Sequence, residues 1–354
     1  MITRNLTLAL GAATLLAAPL VAQPSITHLQ DITVSGLETT PTGIAVTDAG
    51  DAYLAGAEQR RIIKVTDVVT NSPSAVQLVE ATSIDDSTTS GPVTWPLFRG
   101  LFTAAYDPTS NTLLFAGDQG TDGLAILVDP TDDSTTYQTA MINSGNRRVA
   151  GAEFYGNNVI AQNTAGTNYW QFNWGLAKLT GAGFYGGPAG GASRDLAVAS
   201  NGDVLISFNN KFVGDGTSVG IHRMNDDVSF PLSLSGNSNV SNWYTQTVTN
   251  SSSIQGISVF TYLGDSTEYA VLCLAESDEI VLVDVTNPSN TVSLTDATNL
   301  TYPRDAVVHT VGSSQYLVVS NSDDGVIGGR VSVFGIDSAT LQGSANVENW
   351  NLFY

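Results

Sequence analysis

Basic residues are scarce in this chain. Thirteen Lys and Arg stand against 33 Asp and Glu, a formal net charge of −20 over 354 residues, and only Lys64, Lys178 and Lys211 are lysines. So acidic a surface repels phosphate backbones and anionic lipid, which excludes nucleic acid as a partner. Cysteine is nearly absent too. Cys273 is the single one, so no disulfide supports the fold, and its setting in the apolar run YAVLCLAES marks a small buried hydrophobe. The three histidines, His28, His222 and His309, show no metal-ligand spacing. The glycine-rich GAGFYGGPAGGAS (181–193) leads into a strand pattern, not into the helix that a phosphate cradle requires. No long segment carries a 3.6-residue apolar period.

What is present begins with a leader. Residues 1–22, MITRNLTLALGAATLLAAPLVA, combine Arg4, an apolar stretch from Leu8 to Leu16 and small residues after it, the make-up of a secretory signal. Its apolar core is too short to span a bilayer, and no later run is longer. Cleavage after Ala22 predicts a secreted or periplasmic chain of residues 23–354 without a transmembrane anchor.

Internal repetition fixes the expected architecture. The segments at 43–56, 103–117, 151–163, 195–208, 256–275 and 305–320 share one form. In each, a short apolar run meets a turn rich in Gly, Asn, Asp or Ser, and a second run with β-branched or aromatic residues follows. Asn201-Gly202 is the strongest hairpin turn among them. A third run comes next: 62–65, 124–128, 176–179, 220–224, 279–283 and 330–334. Weaker fourth runs appear at 75–79 and 291–294. This pattern predicts an all-β, six-bladed β-propeller of four-stranded antiparallel blades, starting near 41, 99, 148, 193, 254 and 302, in a single domain over 23–354. The last repeat lacks a clear fourth strand. Either ITHLQDITV (26–34) or the tail NVENWNLFY (346–354) completes it. The polar SGNSNVSNWYTQTVTNSSS (235–253) reads as an inter-blade excursion.

The stretches GDAYLAGAEQRRIIKV (50–65) and PTGIAV (41–46) resemble the NHL-repeat and SMP-30 (gluconolactonase-like) group of six-bladed propellers. The resemblance implies a site at the channel mouth, where the innermost strands start. In SMP-30-like lactonases a Glu and Asn or Asp residues at those starts hold a divalent cation. Here the matching positions are Thr42-Gly43, Gln255-Gly256 and Arg194-Asp195, and no start keeps a Glu followed by Gly-Pro. Glu153, Asp195 and Asp305 are the residues that could rebuild a metal site.

Four of the six expected starts carry an arginine: Arg99, Arg148, Arg194 and Arg304. Two readings stay open. Arg99, Arg148, Arg194 and Arg304, with Asp195 and Asp305, form a ligand-binding rim for a carboxylate, sulfate or phosphate; or each arginine pairs with Asp195, Asp305 or Glu153 and ties blades together. Acidic turns with Asp118, Asp122, Asp215, Asp323 and Asp324 offer Ca²⁺ a place, or are ordinary turn chemistry. Trp95, Trp170, Trp174, Trp243 and Tyr244 offer either a glycan-stacking surface or inter-blade packing. Asn239, Asn250 and Asn299 stand in glycosylation sequons. The leading functional expectation is a secreted propeller that binds an anionic small molecule, a glycan or another extracellular protein through its channel-mouth face. No cofactor follows from the residues beyond Ca²⁺ at the acidic turns. The alternative is a metal-dependent hydrolase or lyase of the SMP-30 type acting on a small lactone or sugar acid.

Overall fold

A computed structural model describes residues 23–34, 41–56, 61–80, 84–86, 91–93, 100–118, 123–131, 138–142, 149–163, 168–173, 178–184, 194–209, 218–224, 240–247, 253–322 and 329–343. Its strands form six sheets. Sheet 1 runs Pro41–Val46, Ala52–Gly56, Arg61–Thr66, Ser74–Glu80. Sheet 2 begins Gly100–Asp107, Thr112–Asp118, Gly123–Val128, Gln138–Ile142. Sheet 3 is Val149–Tyr155, Asn158–Asn163, Asn168–Asn173, Lys178–Phe184. Sheet 4 is Leu196–Val198, Val204–Asn209, Ser218–Met224, Val240–Thr247. Sheet 5 is Ile254–Thr261, Glu268–Leu274, Glu279–Asp284, Thr291–Thr295. Sheet 6 is Pro303–Val311, Ser314–Asn321, Arg330–Ile336 and, from the other end of the chain, Ile26–Thr33.

The first strand given above for each sheet is its innermost. It touches the innermost strand of the next sheet in a closed circuit, 1–2, 2–3, 3–4, 4–5, 5–6 and 6–1. That circuit is a propeller arrangement, all-β throughout apart from one 3₁₀ turn at Ala275–Ser277 among the described residues. Strands such as Ala52–Gly56, Glu268–Leu274 and Ser314–Asn321 are buried on both faces, and their apolar side chains meet those of the neighbouring sheets. The core is therefore a ring of layers: one between sheets 6 and 1, one between 2 and 3, one between 4 and 5, one between 5 and 6.

Several strand expectations need correction. Sheet 2 has six strands, because Ile84–Asp86 pairs in parallel with Gln138–Ile142 and Gly91–Val93 pairs with Ile84–Asp86. Those triplets, IDD and GPV, are too short and polar to show a period. In sheet 3 the third strand is Asn168–Asn173, and the run at 176–179 overlaps the start of the fourth. Within 235–253, Val240–Thr247 is the outer strand of sheet 4. Both were hidden by the polar residues in their sequences. Ile26–Thr33 pairs antiparallel with Arg330–Ile336 from Ile26↔Ile336 to Thr33↔Arg330; the tail 346–354 lies outside the described residues.

Candidate functional site

One irregularity recurs where the innermost strands start. The ladder slips by one residue between Pro41 and Gly43, Leu101 and Thr103, Val149 and Gly151, Ile254 and Gly256, and Pro303 and Asp305. The unpaired residues are Thr42, Phe102, Ala150, Gln255 and Arg304. A β-bulge re-aims a side chain out of the alternation of its strand, and bulges gather beside binding sites for that reason. In sheet 4 Arg194 holds the matching place, just before Asp195. Ser207 Oγ accepts the N–H groups of Arg194 and Asp195 at 3.0 and 2.9 Å. The six residues differ in chemistry although the frame around them repeats.

The next residue on each strand forms a collar: Gly43, Thr103, Gly151, Asp195, Gly256 and Asp305, so glycine alternates with a polar side chain around the ring. A Cβ on Gly151 would lie 2.8 Å from Asp195 Cα and Oδ1, and one on Gly256 2.5 Å from Arg304 O and 2.6 Å from Asp305 Cα. Neighbouring strands approach that closely only where one of them lacks a side chain. The two aspartates then reach forward. Asp195 Oδ2 accepts Ile257 N–H at 3.0 Å in sheet 5, and its Oδ1 accepts the Thr103 hydroxyl at 3.4 Å. Asp305 Oδ2 accepts Ile44 N–H at 2.9 Å in sheet 1, and its Oδ1 accepts Ala306 N–H at 2.8 Å. Innermost strands have an edge without a neighbouring strand, and these carboxyl groups satisfy its amides.

Glu153, two residues beyond Gly151, accepts Phe154 N–H at 2.8 Å. Burial pushes its carboxyl up to about 8, with the charges of Asp195 and Asp107 adding to the shift. Burial likewise raises Asp305 to about 8, opposed by its amide donors. Asp195 is raised for the same reason and by the charge of Asp305. A raised carboxyl keeps in the native state a proton that the unfolded chain has released. Its contribution to stability is complete below the ordinary carboxyl range and is lost as pH rises toward about 8. Glu153→Gln keeps an acceptor for Phe154 and removes the titration. Urea titrations should show the variant more stable than wild type by about 1–3 kcal/mol near pH 8 and nearly equal near pH 4, with a shallower slope between. Equal slopes for both chains would show that the Glu153 carboxyl is ordinary.

A divalent cation needs several carboxylate oxygens turned to one point. The oxygens of Asp195 and Asp305 are instead engaged by N–H and O–H donors, whose dipoles disfavour a cation beside them. No group of three or more His, Cys, Asp or Glu among the described residues is placed to hold a metal ion. The set Glu153, Asp195, Asp305 does not fit such an ion.

Neither Arg194 nor Arg304 forms the expected pair with those carboxylates among the described residues. Ion pairs among the described residues join His28 to Asp31, Lys64 to Asp51, Arg223 to Asp203 and Arg330 to Asp31. None joins Arg194 or Arg304 to Asp195, Asp305 or Glu153. Sequence neighbours on a strand face opposite ways, and the bulge turns Arg304 aside while Asp305 enters the collar. Sheets are tied by carboxyl–amide bonds instead.

Arg304 is held at the mouth by a polar network. Its Nε donates to Ser322 Oγ at 2.9 Å and its Nη1 to Gln255 Oε1 at 3.2 Å. Its guanidinium lies 4.3 Å from the centre of the Tyr302 ring. Tyr302 has a φ of 54°, a left-handed conformation that bulky residues seldom adopt. Its N–H donates to Asp278 Oδ1 at 2.7 Å and its hydroxyl to Glu276 Oε1 at 3.1 Å. Glu276 accepts Ser253 N–H at 2.6 Å, and Gln255 Nε2 donates to Ser253 Oγ. Strain of this kind persists where surroundings over-determine it. Arg194 is exposed.

Arg99 and Arg148 lie outside the described residues, and the bulge positions of their sheets are Phe102 and Ala150. Asp122, Asp215, Asp323, Asp324, Trp95, Trp174, Asn239 and Asn250 lie outside them too. Trp243 packs between sheets 4 and 5, donating to Val285 O at 3.2 Å, with Tyr244 beside it. Cys273 is wholly buried opposite Gly256, and burial pushes its thiol up. Asn299 donates from its side-chain amide to Asp296 at 2.7 Å.

No protein-family model matches this chain, and no curated protein matches it by sequence. Solved structures do match. A PQQ-bound aldose sugar dehydrogenase from Streptomyces coelicolor aligns over 90% of this chain and 99% of its own, with a TM-score of 0.63 at 14% identity. The fold is that of the β-propellers. Virginiamycin B lyase from Staphylococcus aureus matches with a TM-score of 0.53 at 9% identity, covering 88% of this chain and 99% of its own. An auxiliary nutrient binding protein from Bacteroides thetaiotaomicron gives 0.55 at 9% identity over 89% and 78%. Propellers therefore serve enzymes and a binding protein alike, and at these identities the likeness speaks for the fold alone. No helix among the described residues of this propeller is long and apolar enough to cross a membrane.

Proposed function

We propose that this chain is an exported propeller, residues 1–22 being its signal and 23–354 one domain of six blades related to the NHL and SMP-30 group. In this reading it is a binding module, and its mouth takes a small carboxylate-bearing ligand. The observation that carries the reading is the setting of Arg304. Its guanidinium plane is fixed by Ser322, Gln255 and the Tyr302 ring, and a fixed planar fork is what bidentate carboxylate recognition needs. The strained backbone of Tyr302 supports the same site. Arg194, at the matching place two sheets earlier, supplies a second cation. Among the described residues, no carboxylate set suits the metal that the enzyme alternative needs.

Titration calorimetry with two probes, D-gluconate and 3-phenylpropionate, tests this. Arg304→Ala should weaken every carboxylate that binds by about tenfold to a hundredfold, the range for losing a charge-assisted pair. D-glucose is the neutral control. Absence of carboxylate binding, or equal affinity in the variant, would sink the proposal.

A further inference from the structure

Each collar residue stands opposite one residue of the second strand of its sheet. Gly43 pairs with Ala55, Thr103 with Ala116, Gly151 with Gln162, Gly256 with Cys273 and Asp305 with Ser320. Asp195 O accepts Ser207 N–H at 3.0 Å in the same way. All six second-strand residues are wholly buried. Five are small, and the two serines bond to backbone: Ser207 as described above, Ser320 by donating to Asp305 O at 3.2 Å. Gln162 is the exception in size and in bonding. Both polar atoms of its carboxamide are buried, and neither has a hydrogen-bond partner.

The neighbouring sheet explains why no protein group answers it. Val159 and Ala161 face the core shared with sheet 2, so by alternation Ile160 and Gln162 face sheet 4. Ala197 and Leu205 of sheet 4 face sheet 5, which turns Leu196 and Ile206 toward sheet 3. An unmet carboxamide is costly in so apolar a layer. Two carboxyl groups lie close by. Glu153 pairs with Ile160 and shares the face of Gln162, as a diagonal neighbour about 7–8 Å away across the ladder. Among the described residues its one hydrogen bond comes from Phe154 N–H. Asp195 Oδ1 lies over Gly151, 2.8 Å from where a Cβ would stand, and takes the Thr103 hydroxyl at 3.4 Å, a long contact.

Polar groups gathered in this way, none bonded to another, are the setting of internal water, which makes about three hydrogen bonds to buried groups that lack other partners. We propose that the seam between sheets 3 and 4 is a binding site for internal water, anchored by Gln162 and completed by Glu153 and Asp195. The water carries the hydrogen bonding between the carboxamide and the Glu153 carboxyl. Gln162 is thereby a positioning residue for that carboxyl.

Nuclear magnetic resonance on the whole chain, with water itself as the probe, tests the proposal. The side-chain amide protons of wild-type Gln162 should cross-relax with water, with the sign of a bound, slowly tumbling molecule. Those of Gln315, which donates to Thr261 O at 2.8 Å and accepts Leu263 N–H at 2.9 Å, should not. Gln162→Met keeps the length of the side chain and removes its polar atoms. In that variant, once thermal melting shows it folded, the titration midpoint of the Glu153 carboxyl carbon should move upward by about one pH unit, because a hydrogen bond to the charged form is lost. Asp107, Asp195 and Asp305, whose charges act on Glu153 or feel it, are the same in both chains. Absence of the water signal at wild-type Gln162 overturns the proposal whether or not the variant folds. A folded Gln162→Met chain in which Glu153 titrates unchanged overturns it as well.

Discussion

Deletion of residues 23–34 should leave the rest of the chain without a cooperative unfolding transition. Ile26–Thr33 is the outer strand of sheet 6, and its ladder runs from Ile26↔Ile336 to Thr33↔Arg330. Ile32 and Val34 enter the core between sheets 6 and 1, at 7% and 1% exposure. Gln30 Nε2 donates to Val68 O and Thr70 O at 2.9 and 3.1 Å, which staples the strand to sheet 1. Asp31 joins Arg330 and Ser332. Two or three buried apolar side chains at about 1.5–3 kcal/mol each, plus a strand ladder, approach the whole stability of an ordinary domain, about 5–15 kcal/mol. The loss would also leave the Arg330–Ile336 edge open to other chains. Urea titrations followed by circular dichroism, comparing chains that start at 23 and at 35, read the effect. A 23–34 peptide added in trans should restore part of the transition. An unchanged midpoint would mean that this strand does not close the ring.

Asp305→Ala should cost about 2–5 kcal/mol, from two buried amides left without acceptors at about 1–3 kcal/mol each. One of them, Ile44 N–H, belongs to sheet 1, and the other, Ala306 N–H, to the residue next in sequence. The substitution therefore opens the seam at which the last sheet meets the first. Its penalty should be larger near pH 5 than near pH 8, because burial raises this carboxyl and its ionisation in the folded state is itself unfavourable. Asp195→Ala should behave alike at the seam of sheets 4 and 5, whereas Thr103→Ala, which removes one long hydrogen bond, should cost about 1 kcal/mol or less. Denaturation midpoints for the three variants at both pH values provide the comparison. Equal small losses throughout would show that the collar does not hold the ring.

How much of this was legible in the sequence differs from layer to layer. The hairpins were, because a turn such as Asn201-Gly202, with Gly202 at a φ of 85°, announces itself by residue type between apolar runs. Strands with one half-exposed face were not. Val240–Thr247 carries Asn242, Thr245 and Thr247 where it meets water, and Asn168–Asn173 is half polar in sequence, so their composition resembles loops. At the mouth, Thr42, Arg194, Gln255 and Arg304 were found because each sits beside a glycine or aspartate that opens an apolar run. Phe102 was missed because Arg99-Gly100 imitates that start a few residues early, and in sheet 3 Arg148 stands a similar distance ahead of the Ala150-Gly151 start. Aligning the repeats on the alternation of glycine with Thr103, Asp195 and Asp305 would have corrected the offset. A bulge itself leaves no mark, since one extra residue in a strand changes neither composition nor period. The fate of the aspartates was also out of reach. Asp305 finds its amide 261 positions away in sequence, and only the closed ring brings them together.

The central claim is that Arg194 and Arg304 together form the mouth's anion site. The most direct measurement is the arginine Nε–Hε nuclear magnetic resonance spectrum during titration with 3-phenylpropionate. The signals of Arg194 and Arg304 should move along one saturable curve, while those of Arg223 and Arg330, held by Asp203 and Asp31, stay in place. A titration that moves all four alike, or leaves Arg194 and Arg304 still, would contradict the account.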